Sequence, residues 1–402
     1  MVSVQPQRLL DIPLGLYVHW PWCVRKCPYC DFNSHRSPAV LLEDRYVDAL
    51  LAELERRAET VAGRTVETIF IGGGTPSLMS GDAVRRLMEG IRSRVDVAPD
   101  AEVTLEANPG ASDEAKFEAF RRAGVNRLSL GIQSFSDERL RAIGRIHDAA
   151  RAREAVRAAG RVFENFNLDV MFALPGESVG ELARELDEAV SSGATHLSFY
   201  QLTIEPGTSF AKRTPENLPD EDLTADMGEM VAEKLAAAGF EHYEVSGYAR
   251  PGRRTRHNLI YWTFGDYLAL GAGAHSKVTS ASPEGELLIR REQRWAAPAK
   301  YMEAVELGGS GDLDGTGTEA ALTVDAESLP FEFMLNALRL TDGVEAKLFE
   351  VRTGLPLSVI EPTLVRLRNE GLLVDDPTRI RTTPKGLAFL SDVQERFLET
   401  SE

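Results

Sequence analysis

The stretch Tyr17-Val18-His19-Trp20-Pro21-Trp22-Cys23-Val24-Arg25-Lys26-Cys27-Pro28-Tyr29-Cys30-Asp31-Phe32 decides how the chain is read. A β-rich run, Gly15–Trp20, leads into Cys-x3-Cys-x2-Cys, and Cys23, Cys27 and Cys30 are the only cysteines present. An odd, clustered set excludes a disulfide framework. Three thiolates on one short loop suit three irons of a [4Fe–4S] cluster. The fourth iron then takes a non-cysteine ligand, and such an open iron can bind a small molecule and pass it an electron. Tetrahedral zinc is the competing reading, which needs four protein ligands or three plus water. His19 or His35 could complete a zinc site or ligate the cluster.

Outward from this loop, Leu14 to about Tyr248 alternates short β-rich runs with amphipathic helical patterns. The strands expected after Gly15–Trp20 are Thr68–Ile71, Glu102–Glu106, Arg127–Gly131, Asn167–Phe172 and His196–Tyr200. In Leu41–Glu59 the positions Val47, Leu50, Leu51 and Leu54 make a helical stripe. Such alternation predicts βα units and a parallel sheet. Six units are too few for a closed eightfold barrel, so the expected fold class is α/β, a partial (β/α)6 TIM-type barrel. Ligands of parallel α/β folds gather at the C-terminal strand ends. The distinctive residues fall there: the cysteines, Gly72-Gly73-Gly74-Thr75-Pro76, Glu106-Ala107-Asn108-Pro109, Gln133 and Asp169. Consecutive glycines let backbone approach a ligand closely, and Glu106 can accept from ribose hydroxyls. A tight turn or a capping role is the bland alternative for each residue taken singly.

Leu218–Gly239 reads as a further helix and His242–Tyr248 as an added strand. His257–Ser276 is aromatic and glycine-rich without a clear period, and Gly308 to Gly317 reads as a flexible linker. Beyond it come helices at Phe331–Leu340, Val344–Arg352 and Pro356–Asn369, a hairpin of Leu372–Val374 with Arg379–Thr382, and a last helix at Lys385–Leu398. This is a winged-helix-like α+β pattern. The expected division is 1–250 for the barrel, 251–322 for the aromatic segment and linker, and 323–402 for the C-terminal unit.

Composition bounds the partners. The 402 residues are 43% hydrophobic and 27% charged, an ordinary globular mix. The formal net charge is −17, which phosphate backbones repel. From Phe331 onward there are 9 Lys and Arg against 12 Asp and Glu, a poor footprint for DNA. No nucleic-acid partner is expected, and the C-terminal unit reads as a cap or a docking surface. No apolar run approaches the roughly 18–20 residues that span a bilayer. Met1–Ile12, with Pro6, Arg8 and Asp11, lacks the apolar core of a signal peptide. The expected location is cytoplasmic, with peripheral membrane contact left open.

The cysteine loop at the end of a first barrel strand resembles the signature of radical S-adenosylmethionine (SAM) proteins. Tyr17 to Cys23 with Cys27-Pro28-Tyr29-Cys30-Asp31-Phe32 is similar to the branch around anaerobic coproporphyrinogen III oxidase. The resemblance implies that the open iron is chelated by SAM and that Gly73, Gly74 and Thr75 hold the methionine end, Thr75 replacing an acid. It also implies that Gln133, Arg145 and Asp169 line the SAM and substrate cavity, and that Tyr17 and Tyr29 lie beside the cluster. Two departures from the oxidase stand out. Phe32 replaces a further cysteine, and only about 14 residues precede the first strand. Both are features of the HemW haem chaperones.

His257-Asn258-Leu259-Ile260-Tyr261-Trp262 resembles the H-N-x-x-Y-W motif associated with haem in that family; Gly144-Arg145-Ile146-His147-Asp148 is also more similar to that family than to the oxidase, with a helix-face residue the plain alternative for His147. An imidazole can ligate haem iron. Asn258 can orient it, and Tyr261 and Trp262 offer flat faces to a macrocycle. A satisfied core histidine is the alternative for His257. The implied function is a chaperone that binds haem and a SAM-coordinated cluster and passes haem to acceptor proteins, with respiratory, membrane-associated acceptors an open case. Oxidative decarboxylation of coproporphyrinogen III is the second reading and radical haem degradation a weaker third. Whether SAM is cleaved is left open.

Overall fold

The computed structural model describes residues 9–110, 114–308 and 316–398. Strand β1 (Leu14–Trp20) is buried along nearly its whole length, as a strand covered on both faces must be. Five parallel strands follow in chain order: β2 (Val66–Gly73), β3 (Val97–Ala107), β4 (Arg127–Gln133), β5 (Phe166–Phe172) and β6 (His196–Gln201). Each pairs with the next in parallel register. Helices join them, among them Glu43–Arg57, Gly81–Arg92, Ala149–Val162 and Val179–Ser191. The result is a partial (β/α)6 barrel. Glu43–Arg57 opens on acidic Glu43 and Asp44, closes on Arg56 and Arg57, and buries Val47, Leu50 and Leu54, matching both the helix dipole and the core stripe. Val179–Ser191 starts from a capping box of Ser178 and Glu181.

The sheet extends beyond the six strands on both sides. On the β6 edge, β8 (Gly247–Ala249) pairs antiparallel with β6 and with β7 (Glu241–Glu244). The single strand expected at His242–Tyr248 is thus two short strands. On the β1 edge, β9 (Asp266–Leu270) pairs in parallel with β1. Then β10 (His275–Ala281), β11 (Leu287–Arg294) and β12 (Thr318–Thr323) follow antiparallel. The twelve-stranded order is β12-β11-β10-β9-β1-β2-β3-β4-β5-β6-β8-β7.

Residues 251–322, expected to be aperiodic segment and linker, therefore hold four strands and two helices, Arg256–Trp262 and Pro298–Glu306. Most of the linker expected between Gly308 and Gly317 lies outside the described residues. Buried charges tie this region to the barrel. Asp266 accepts from Arg64 at 2.8 Å and Lys277 at 2.9 Å. Glu53 accepts from Arg294 at 2.5 Å and from the Tyr301 hydroxyl at 2.7 Å.

The C-terminal unit has helices Leu329–Ala337, Lys347–Thr353 and Glu361–Asn369. Val344–Glu345 pairs antiparallel with Arg379–Ile380, and Leu373 bridges Thr382. The expected hairpin is thus a single bridge, with its second arm shared by a strand placed between the first two helices. This is a winged-helix-like arrangement. Its core includes Tyr243, Phe264 and Ile289 from the sheet side, so the unit is packed onto the barrel. Among the described residues no helix is long and apolar enough to cross a membrane.

Candidate functional site

The C-terminal ends of β1 to β6 share one rim, and a cavity of about 460 Å³ opens there. Its lining includes all three cysteines. Trp22–Cys23 pairs in parallel with His35–Arg36 and closes the cysteine loop at its base. The Trp22 ring packs at 4.9 Å and 4.8 Å against Trp20 and Tyr46, which anchors the loop in the core. The three thiols are free and half-buried. Thr75 Oγ1 donates to Cys23 Sγ at 3.5 Å, Arg145 to Cys27 Sγ at 3.5 Å, and Ser34 Oγ lies 3.9 Å from Cys30 Sγ. Burial pushes the Cys23 and Cys30 thiols up, so holding them as thiolates takes a bound cation, which deprotonates a coordinating thiol outright. Among the described residues no three His, Cys, Asp or Glu side chains converge as a single metal ion requires. The His19 ring has neither nitrogen free to complete a tetrahedral zinc site: it bonds the Tyr17 hydroxyl and the Asn33 carbonyl instead.

A chain of hydrogen bonds links two of the thiols. Asn108 Nδ2 donates to Thr75 Oγ1 at 3.1 Å, and the Arg145 guanidinium donates to Asn108 Oδ1 and, at 2.8 Å, to the Gly131 carbonyl. Arg145 also lies 3.5 Å from the Tyr29 hydroxyl. Thr75 and Arg145 therefore hold Cys23 and Cys27 through one shared asparagine. Asn108 lies in the rim sequence Glu106-Ala107-Asn108-Pro109 and belongs to no motif of its own. Its signal was the Asn108-Pro109 step, where proline ends the strand and turns this side chain over the rim.

The glycines are required by space. A Cβ on Gly74 would sit 2.6 Å from the Trp22 carbonyl oxygen, and one on Gly73 would strike the His19 ring. Gly73 also holds φ at +112°, which favours glycine. Its N–H donates at 3.0 Å to Glu106 Oε2. The Glu106 carboxyl is pushed up to about 8 by burial, then by the charge of Asp169, against the pull of the Gly73 N–H. At neutral pH it is mostly protonated and can donate as well as accept. Asp169 is raised by burial, while bonds from Ser129 (2.9 Å) and Asn167 (2.8 Å) oppose the rise. Gln133 sits at φ +67° where the β4–β5 register slips, a bulge that re-aims its side chain into the cavity.

A second cleft of about 550 Å³ adjoins the first. Phe32, Asp31, Gly73 and Glu106 line both. The far side of the second cleft is made by Tyr17, Tyr261, Trp262 and Tyr267, with Asn336 from the C-terminal unit. His257 is not on its surface. It is 1% exposed, it packs over Gly15, where a Cβ would meet its ring at 3.1 Å, and it stacks on Phe70 at 5.2 Å. Its Nδ1 bonds Thr68 Oγ1 at 2.7 Å and its Nε2 bonds the Tyr261 hydroxyl at 2.8 Å. Burial and then the Arg127 charge push its pKa down to about 3. The expectation that Asn258 orients this ring is corrected: Thr68 and Tyr261 do so, and among the described residues Asn258 makes no hydrogen bond to it. His147, read as a helix-face residue, is buried with Nε2 on the Ile132 carbonyl.

Comparison with known proteins accords with this geometry. Residues 17–189 match the radical SAM superfamily model, and residues 324–389 match the HemN C-terminal domain model. The Escherichia coli heme chaperone HemW is 44% identical over 387 residues, covering 96% of this chain and 98% of that one. The chain belongs to the HemW family. The Haemophilus influenzae HemW is 41% identical over 391 residues. A bovine mitochondrial relative of the family, radical S-adenosyl methionine domain-containing protein 1, is 34% identical over 387 residues, 94% of this chain and 86% of that one. The solved structure of E. coli coproporphyrinogen III oxidase (HemN), described as a radical SAM enzyme, superposes with a TM-score of 0.80 at 23% identity, over 97% of this chain and 92% of that one. That likeness shows a shared fold.

Proposed function

We propose that this chain is a haem chaperone that holds a [4Fe–4S] cluster with bound SAM in the thiol cavity, takes haem in the adjoining aromatic cleft, and passes it to acceptor proteins. The observation behind this reading is the adjacency of the two cavities, which share Phe32, Gly73 and Glu106. Cys23, Cys27 and Cys30 are the cluster ligands. Such a cluster, when bound, supplies a single electron to a ligand on its open iron. Thr75, Arg145 and Ser34 steady the three sulfurs, and Gly73 and Gly74 keep the methionine end close to backbone. Glu106, Gln133 and Asp169 offer polar contacts to the rest of SAM, while Tyr29 lines the cavity beside the loop and Tyr17 faces the adjoining cleft.

Tyr261 and Trp262 provide apolar faces for the macrocycle. A protein of this chemistry acts on haem in the cytoplasm or at a membrane surface, where respiratory acceptors reside, and does not engage nucleic acid. The second reading, coproporphyrinogen decarboxylation, rests on the same thiol cavity.

Anaerobic isolation tests the cluster: a brown protein with about four irons per chain is expected, and a colourless, zinc-loaded protein would refute it. Haem titration and transfer to an apo-acceptor test the chaperone. Incubation of the reduced protein with SAM and coproporphyrinogen III is expected to yield no protoporphyrinogen. Turnover there, without haem binding, would replace this reading with the oxidase.

A further inference from the structure

Seven histidines occur in the chain, and two of them, His19 and His275, line the aromatic cleft. The His19 ring is committed to Tyr17 and Asn33 at 2.9 Å and 2.8 Å, and His19 is 5% exposed. His275 differs in both respects. It opens β10 with its side chain exposed, and among the described residues its ring has no hydrogen-bond partner. A metal-ligating imidazole must be neutral with a free nitrogen. Partial desolvation and then the Arg291 guanidinium hold the His275 pKa below the ordinary imidazole value, which favours that form.

The turn before His275 is built and anchored. Gly271 and Gly273 adopt φ of +103° and +73°, and a Cβ on Gly273 would strike the Asn33 side chain. Asn33 Nδ2 donates at 2.9 Å to the carbonyls of Ala272 and Ala296. The residue at the end of the cysteine loop thus fixes the turn that presents His275. The cleft volume falls within the roughly 300–1,000 Å³ of small-molecule sites, and its aromatic wall of Tyr17, Tyr261, Trp262 and Tyr267 suits a flat macrocycle.

We propose that His275, and not the motif residue His257, ligates the haem iron, with His257 buttressing Tyr261 from behind. This rests on the haem-chaperone reading and deepens it. The consequence is direct: the ligand sits at the cleft mouth, where haem can leave toward an acceptor, and its position is tied through Asn33 to the cluster loop.

The test is anaerobic haem titration of the full-length, cluster-loaded chain, read by Soret and electron paramagnetic resonance spectra. Wild type is expected to show imidazole ligation. His275→Ala is expected to lose that signature and about tenfold or more in affinity, with cluster iron unchanged. In His275→Gly, added imidazole should restore the signature. His257→Gln, which preserves hydrogen bonding, is expected to keep it. An undiminished signature and affinity in His275→Ala, or loss of the signature in His257→Gln alone, overturns the assignment. Wild type that binds haem without an imidazole signature also overturns it. Wild type that binds no haem refutes the chaperone reading itself, a distinguishable outcome.

Discussion

Glu106→Gln isolates one electrostatic feature of the SAM cavity. The variant keeps an acceptor for the Gly73 N–H and removes the titration. Folding raises this carboxyl from the ordinary 4.5 to about 8, so the folded state binds its proton more tightly than the unfolded state. The associated cost is absent below pH 4.5, grows as pH rises, and is complete above about 8. A shift of this size at 1.36 kcal/mol per unit gives an upper bound of about 5 kcal/mol. Glu106 is partly exposed at the rim, and solvent screening halves the figure to roughly 2 kcal/mol. Urea unfolding of the cluster-free protein at pH 5, 7 and 9 measures it. Relative to wild type, Glu106→Gln should gain about 2 kcal/mol between pH 5 and pH 9. Parallel pH profiles within about 0.5 kcal/mol would refute the rise of the Glu106 carboxyl by desolvation and, second, by the Asp169 charge.

Three further outcomes follow from the geometry. Gly74→Ala places a Cβ against the backbone of Trp20 and Trp22 and should cost about 1–3 kcal/mol, with a matching fall in iron per chain after anaerobic reconstitution. Arg145→Met leaves Asn108 Oδ1 and the Gly131 carbonyl without their donor. A loss of about 1–3 kcal/mol and reduced cluster retention on gel filtration are expected. Asp266→Asn strips the charge that Arg64 and Lys277 face in the core, and a drop of about 3–5 kcal/mol should appear as a lower urea midpoint.

The barrel was readable because its strands run buried on both faces and are separated by helices with clear stripes; Leu168, Val170 and Phe172 in β5, for example, are all buried. Strands β9 to β12 were not readable for the opposite reason. Asp266 opens β9 and Lys277 lies inside β10, both charged and both buried. They pair with each other, and Lys277 lies 4.2 Å from the Phe264 ring. Polar residues at core positions break the alternation that marks a strand. The partner of β9 is β1, some 250 residues away, and no local pattern reports such a pairing. At the site the same division holds. The glycine run and the cysteines stood out, whereas Asn108 joined Thr75 to Arg145 only after three strand ends had met.

The sequence by itself determined the cysteine loop and the alternating α/β core, because these depend on spacing within a few residues and on local burial periodicity. The tertiary structure alone decided which side chains meet. Arg145 reaches Cys27 across 118 positions and His257 reaches Thr68 across 189. Motif membership made His257 a ligand candidate; packing over Gly15 and Phe70 made it a core residue and left His275 facing the cleft. Long-range register sets burial, and burial determines which imidazole has a nitrogen free to bind iron.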